Sequence, residues 1–423
     1  MKPVCITNAR IVDPASHTDA PGAILFDETI REVGKLKPPA DAEIIDADGK
    51  AVLPGLIDMR VGIGEPGAEH RETFKSAGRA ALAGGVTTLV MNPNTHPIID
   101  DASLVDFVLR RAPDRSKARI YPMAALTRGL EGQAMTEMGL LKEAGAVMFS
   151  NGDRAVVDSR VMRRALAYST AFDALVAHRP EDPFLAQGGV MNEGELATRL
   201  GLPGIPDAAE TIMAERDLML AELTGARLLL DMISSARTLE ALRRAKDRGV
   251  NAIASVSVHH LALNEFDVES YRTYAKLSPP LRREEDRLAL GAAIASGLID
   301  IIVSGHDPRP AEDKRLPFDE AAPGAAALET LLPAALTLHH SGGVRLVDLV
   351  RAMTLNPARA LGLAQGRLTK GAPADLILVD LDAPYRLDSE KFLSKSKNSP
   401  FDGKLLQGRV LRTFVAGEAV YPA

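Results

Sequence analysis

The sequence predicts an α/β protein built around a (β/α)8 barrel of the TIM type. Two observations predict it: eight short apolar segments lie between residues 56 and 304, and helical stretches separate them. An eightfold strand–helix alternation of this length is typical of such a barrel. The predicted barrel strands are residues 56–63, 86–92, 120–126, 146–150, 174–178, 227–233, 252–258 and 299–304.

The first barrel strand follows a Pro-Gly turn signal and ends before Glu-Pro-Gly at residues 65–67. A helix over residues 69–83 is predicted next, and two glycines end it. Short strands without helical periodicity are predicted before the barrel, and two helices and two strands after it. These segments are residues 4–9, 23–27, 30–33 and 43–46, then 346–353, 356–363, 376–379 and 410–415. Residues 386–404 are polar and rich in Lys and Ser, which predicts a mobile surface loop.

The composition is ordinary for a globular protein, and it excludes several functional classes. The formal net charge of the 423 residues is -6, which predicts no attraction to nucleic acid or to membranes. No apolar run is long enough to span a bilayer, and the N-terminus has no signal-peptide pattern. The single cysteine, Cys5, excludes an internal disulfide and is compatible with the cytoplasmic location that we expect.

The stretch from residue 53 to residue 67 resembles the first barrel strand of the dihydroorotases, which belong to the amidohydrolase superfamily. Further motifs of that family lie at residues 92–95, 189–194, 201–206, 279–282, 312–318 and 366–376. The resemblance covers nearly the whole chain. It implies that the first and last segments pair into one small β-sandwich domain beside the barrel. The implied domains are 1–52 and 365–423 for the two parts of the sandwich, and 53–364 for the barrel.

In that family the first strand ends in His-x-His, which binds zinc, and a following arginine holds the substrate carboxylate. Here these positions are Arg60, Gly62 and Gly64. The family's other metal ligands, catalytic aspartate and substrate contacts correspond to Asn151, Arg179, Met232, Ser278, Gly305 and Arg309. Zinc needs several N, O or S donors at about 2 Å, and Arg, Gly and Met do not supply them. We therefore expect no zinc, no other cofactor and no catalytic residue at these degenerate positions.

A relocated metal site, built from Asp153, His178, Asp231 and Asp307, is an alternative. Side chains alternate along a strand, so His178 and Asp231 are predicted to point away from the barrel lumen. This geometry argues against the relocated site.

A residual pocket for an anion is a further hypothesis. Its predicted residues are Asn94, His178, His306 and Asp307, together with the three arginines at positions 60, 179 and 309. Alternatively, the arginines pair with local carboxylates such as Glu65, Glu181 and Asp307. The pair His259 and His260 is predicted to have a structural role.

Two functions follow from the resemblance. The first is a non-catalytic dihydroorotase-like protein of pyrimidine biosynthesis, acting as a structural partner of aspartate transcarbamoylase in a homo- or hetero-oligomer. This hypothesis rests on similarity to the inactive dihydroorotase-like chains that accompany that enzyme. The alternative is a functional dihydroorotase, or another cyclic-amide hydrolase, with an atypical site. Zinc activates water for that hydrolysis in the family. No nucleophile elbow or glycine-rich phosphate motif suggests another chemistry.

Overall fold

A computed structural model describes residues 2–422 and contains the predicted α/β barrel with an additional sheet. The first strands are β1 (Val4–Asp13), β2 (Thr18–Phe26), β3 (Ile30–Gly34), β4 (Glu43–Asp46), β5 (Ala51–Pro54), β6 (Leu56–Val61), β7 (Val86–Met91), β8 (Arg119–Ala125) and β9 (Met148–Ser150). The remaining strands are β10 (Leu175–His178), β11 (Met191–Asn192), β12 (Gly204–Ile205), β13 (Arg227–Leu230), β14 (Ala252–Ser257), β15 (Ile301–Val303), β16 (Leu376–Arg386), β17 (Leu405–Val415) and β18 (Glu418–Tyr421).

The helices lie mostly between the barrel strands. They are α1 (Phe74–Ala83), α2 (Ala102–Arg115), α3 (Met138–Glu143), α4 (Ser159–Ser169), α5 (Glu195–Leu200), α6 (Ala208–Thr224), α7 (Ala236–Asp247), α8 (Val258–Ala262), α9 (Glu284–Ser296), α10 (Ala311–Lys314), α11 (Leu331–His340), α12 (Leu346–Met353) and α13 (Leu355–Leu361). Short 3-10 turns lie at Arg128–Leu130, Thr170–Phe172, Glu265–Val268, Thr273–Ala275, Leu328–Thr330 and Ser389–Lys391. No helix in residues 2–422 is long and apolar enough to cross a membrane.

The barrel is a nearly closed parallel sheet in the order β6, β7, β8, β9, β10, β13, β14, β15. All neighbours in this order pair in parallel. A parallel bridge between Val61 and His306 connects the first strand to the last, and the amide of Gly62 donates to the His306 carbonyl at 2.7 Å. Because the strands are parallel, their carboxyl ends meet at one mouth of the barrel, where barrel enzymes place their chemistry.

Helix α1 is shorter than predicted, because it begins at Phe74 rather than at residue 69. Thr73 is its N-cap: the hydroxyl of Thr73 accepts from the amide of Ser76, and the hydroxyl of Ser76 accepts from the amide of Thr73. This reciprocal capping box fixes the first turn and leaves residues 69–73 in the loop.

The second sheet joins the two ends of the chain. Its path is β18, β17, β16, β5, β1, β2, β3, with β4 paired to β1. Strand β16 pairs antiparallel with β5, with Ile377 opposite Leu53. Phe26 and Phe414, one from each end of the chain, pack edge to face with ring centroids 5.2 Å apart. Burial of such apolar faces is the main force that holds the two segments together.

Residues 387–404, which we call the strap, pack against the barrel mouth, so the prediction of a mobile loop is wrong. Asn398 is buried, and its side-chain amide donates to the carbonyl of Gly324 at 2.9 Å. Phe401 is 1% exposed and stacks on the ring of His259, with centroids 5.6 Å apart. The polar side chains of the strap find partners on the barrel loops, which composition alone does not reveal.

Candidate functional site

A cavity of about 130 Å³ lies at the carboxyl ends of the barrel strands. Of the thirteen degenerate or residual-pocket positions predicted from the sequence, eight line it: Arg60, Arg179, Met232, Ser278, Gly305, His306, Asp307 and Arg309. Five others, Gly62, Gly64, Asn94, Asn151 and His178, do not line it. The fold thus brings most of the predicted positions together at one place.

Arg60 lies on β6, and its guanidinium is buried inside the barrel mouth. One terminal nitrogen donates to Asp231 and the other to Asp153. Burial acts to lower the pKa of Arg60, but the carboxylates of Asp231 and Asp153 outweigh it and raise that pKa above its usual value. The guanidinium is therefore a fixed cation in contact with two carboxylates.

Asp231 points into the barrel, so the prediction that it faces outward is wrong. Its second oxygen accepts from the hydroxyl of Ser255 at 2.9 Å. Strand β13 ends at Leu230, and Met232 has a φ of 56°. Leu229 packs inside the barrel with Met59 and Val90, whereas Leu228 and Leu230 pack in the outer core, so alternation along the chain itself turns Asp231 inward. The expectation took Met232 as the inward-facing residue; Met232 does line the cavity, but its positive φ interrupts the alternation, so both residues face inward.

Asp153 joins three elements at the rim of the cavity. Besides Arg60, it accepts from the side-chain amide of Asn94 at 3.1 Å and from Arg179 at 3.4 Å. Desolvation acts to raise the pKa of Asp153, but Arg60 and Arg179 hold it below its usual value. Asn94 thus contributes through Asp153 and not as part of the cavity wall.

The other two arginines of the cavity pair with carboxylates nearby. Arg179 donates to Glu181 at 3.0 Å and also to the hydroxyl of Ser278. Arg309 donates to Asp307 at 2.5 Å. Desolvation and the carboxylate of Asp153 raise the pKa of Asp307 despite its contact with Arg309. The predicted local pairs with Glu181 and Asp307 are therefore present.

Glu65, the third predicted partner of the arginines, lies apart from this cluster. Its carboxylate is 3.5 Å from the guanidinium of Arg111 on α2, and it also accepts from the amide of Phe74. Glu65 therefore supports the start of α1 and is not part of the cavity.

His259 and His260 are buried and neutral at pH 7, because desolvation lowers their pKa values to about 3 and about 4. The Nε2 of His260 is 3.2 Å from the carbonyl oxygens of Pro279 and Pro280, so this nitrogen carries the proton. Its Nδ1 is then a hydrogen-bond acceptor, and it has no partner among the described residues. His259 Nε2 is likewise unpartnered within residues 2–422. The predicted structural role accounts for only one nitrogen of each ring.

His178 belongs to the layer between strands and helices, so its assignment to a residual pocket is wrong. Its Nδ1 is 2.6 Å from Asp217 on α6, and its Nε2 accepts from the amide of Val156 at 2.8 Å. His306 does line the cavity: its Nδ1 accepts from the amide of Ala327, and its Nε2 is 3.5 Å from Glu72.

The remaining predicted positions have a backbone or structural role. A Cβ atom at Gly62 would lie 3.0 Å from the carbonyl oxygen of His306, and one at Gly64 would lie 2.0 Å from that of Ala68. Gly305 has a φ of 67°, which side chains rarely adopt. Asn151 is buried and accepts from the hydroxyl of Thr127 at 2.6 Å. The backbone therefore leaves no space for a side chain at Gly64, gives a tight contact at Gly62 and has an unfavourable conformation for one at Gly305.

The side chains present do not fit the zinc that the family resemblance implies. Among residues 2–422, no three His, Cys, Asp or Glu side chains are grouped so that they could hold a metal ion. His178 faces the outer layer, and the guanidinium of Arg60 lies between Asp153 and Asp231. What the cavity offers instead is fixed guanidiniums, which bind carboxylates and oxyanions, and carboxylates that can accept protons.

Comparison with known proteins gives the family. The amidohydrolase family model matches residues 198–420, and the dihydro-orotase-like model matches residues 49–238. A protein named dihydroorotase from Syntrophus aciditrophicus is 40% identical over 99% of this chain and 99% of its own length. A dihydroorotase from a Wolbachia of Drosophila simulans is 41% identical over 99% of this chain and 95% of its own length. The chain belongs to the dihydroorotase family of amidohydrolases.

Solved structures of hydantoinases and dihydropyrimidinases have the same fold. L-hydantoinase (dihydropyrimidinase) from Arthrobacter aurescens superimposes with a TM-score of 0.89 and is 26% identical, over 99% of this chain and 96% of that one. Dihydropyrimidinase from Brevibacillus agri NCHU1002 gives a TM-score of 0.86 at 20% identity, over 99% and 95% of the two chains, which shows a shared fold alone.

The relatives overturn the first functional hypothesis. We expected a non-catalytic partner of aspartate transcarbamoylase, but full-length relatives at about 40% identity are named dihydroorotase. They favour the alternative of a functional enzyme. This chain resembles dihydroorotase, a cyclic-amide hydrolase, along its whole length.

Proposed function

We propose that this chain is a functional cyclic-amide hydrolase of the dihydroorotase type, with an atypical site. The observation that carries the proposal is the identity of about 40% to proteins named dihydroorotase over 98–99% of the chain. The cavity at the barrel mouth is consistent with it, because its volume of about 130 Å³ suits a single small ring. Its guanidiniums suit a ring that carries a carboxylate.

Arg309 and Asp307 have separate roles in the proposed hydrolysis. Arg309, which lines the cavity and is the most exposed of its three arginines, would hold the substrate carboxylate. Asp307, whose pKa is raised, accepts a proton from the attacking water. The water oxygen bonds to the carbonyl carbon, the ring C–N bond breaks, and the leaving nitrogen takes the proton that Asp307 accepted from the water. The product is an open-chain carboxylate. No metal has a role in this scheme, since the side chains present do not form a metal site.

The test is the interconversion of dihydroorotate and carbamoyl aspartate by the purified chain, followed by chromatography in both directions. We expect Asp307→Asn to lower kcat by roughly 100-fold or more, the range usual for loss of a general base. Asp247→Asn is the matched control, because Asp247 is exposed at the end of α7, away from the cavity. If the wild-type chain gives no interconversion above the rate in buffer, the proposed function is wrong.

A further inference from the structure

The barrel mouth contains a buried cation that belongs to the chain itself. The Arg60 side chain is 5% exposed, and that of its partner Asp231 is 2% exposed. A buried guanidinium is costly unless carboxylates compensate it, and Arg60 has one for each terminal nitrogen. Its own backbone amide is also tied, since it donates to the buried carboxylate of Asp58 at 3.2 Å.

Both carboxylates that contact Arg60 are themselves held by other elements. Ser255 on β14 donates to Asp231, and Asn94 in the loop after β7 donates to Asp153. Arg179, which follows β10, also contacts Asp153 at 3.4 Å. Through these contacts Arg60 connects β6, the end of β13 and the loops after β7, β9 and β10.

The balance of positive and negative side chains around the cavity depends on Arg60. Around the cavity the guanidiniums of Arg60, Arg179 and Arg309 face four carboxylates, from Asp153, Asp231, Asp307 and Glu181. Without Arg60, two guanidiniums would face the same four carboxylates, and Asp231 would have no cation in contact with it. Like charges this close in a poorly solvated site repel one another strongly.

We infer that Arg60 is the resident cation of the barrel mouth: it holds Asp153 and Asp231 together, as a metal ion would, and excludes divalent cations from them. Arg60 then has a structural and a selective role, and it need not touch the substrate. Both roles can be measured without an assay of turnover.

The experiment compares the wild type with Arg60→Met, which keeps an apolar stem and removes the charge. Arg164→Met, at an exposed position of α4, is the matched control. We expect the wild type to unfold at the same temperature with chelator, with Zn²⁺ or with Mn²⁺, and to contain less than one metal ion per chain. Arg60→Met is expected to unfold roughly 3–6 °C lower, as when a buried ion pair loses one partner. Mn²⁺ should raise its unfolding temperature and leave that of the wild type unchanged.

A second variant separates charge from side-chain volume. Arg60→Met combined with Asp231→Asn removes both charges, and it should be more stable than Arg60→Met alone. If Arg60→Met does not fold, folding of this double variant supports the inference, and failure of both refutes it. The inference is also wrong if the wild type holds one metal per chain that stabilises it, if Arg60→Met is as stable as the wild type, or if Mn²⁺ affects the two proteins equally.

Discussion

Glu329 provides a pH-dependent contact between the barrel and the strap. Its carboxylate accepts from the backbone amides of Leu393 and Ser394, at 2.7 and 3.3 Å. Burial, together with the nearby carboxylate of Glu72, raises the pKa of Glu329 to about 7, although Lys397 opposes the shift. The folded protein therefore binds a proton at Glu329 more tightly than the unfolded chain does, whose reference value is 4.5.

The direction in which stability changes with pH follows from this difference in pKa between the folded and unfolded chain. Stabilisation by the protonated carboxyl is fully present below about pH 4.5, and it is lost as the pH rises through the folded pKa of about 7. A difference of about 2.5 pKa units corresponds to about 3.4 kcal/mol at full burial. Glu329 is only partly buried and borders a surface cleft, so we reduce this to about 1–2 kcal/mol.

The substitution Glu329→Gln keeps an oxygen for both strap amides and removes the group that binds the proton. The stability of this variant relative to the wild type should rise by about 1–2 kcal/mol between pH 5 and pH 8.5. Urea unfolding followed by circular dichroism measures it, since the chain has no tryptophan. Glu390→Gln, at an exposed position of the same strap, is the control and should show no such trend. If the stability difference between Glu329→Gln and the wild type does not change with pH, Glu329 is not the group that titrates.

Two further substitutions test the packing around the cavity. Phe401→Ala should lower the free energy of unfolding by about 3–5 kcal/mol, because it removes a fully buried ring that stacks on His259. A lower urea midpoint and faster proteolysis within the strap would show the loss. Unchanged values would contradict it. Gly305→Ala should lower the free energy of unfolding by about 1–2 kcal/mol, because residue 305 has a φ of 67° and the new Cβ would lie 3.1 Å from the hydroxyl of Ser257. An unchanged urea midpoint would show that the backbone adapts freely.

The barrel could be predicted from the sequence because its signal is local. Each strand buried on both faces is a short apolar run, so all eight predicted strands overlap observed ones. The resemblance also placed most of the site residues, since the carboxyl ends of parallel strands meet whatever side chains they carry.

Features that depend on tertiary contacts could not be predicted in this way. Asp231 and Met232 both face the barrel interior because Met232 has a φ of 56°, and no local residue pattern marks that backbone conformation. The strap has the composition of a mobile loop, yet its polar groups find partners far away in the sequence. Ser394, for example, donates to Glu72, and the side-chain oxygen of Asn398 accepts from the amide of Arg309.

Arg60 and Asp307 lie at the same barrel mouth but differ in their contacts. The proposed reaction and the proposed role of Arg60 can therefore be tested separately. Both terminal nitrogens of Arg60 are engaged by carboxylates, so little of it is left for a substrate. Asp307 is 35% exposed and in contact with Arg309 alone among the cavity arginines, so it remains accessible to water. We therefore expect Asp307→Asn to lower kcat by roughly 100-fold or more with an almost unchanged unfolding temperature. The main effect of Arg60→Met should be a lower unfolding temperature. Its activity should fall only to the extent that the cavity loses its geometry. The opposite pattern would place Arg60 in the reaction itself.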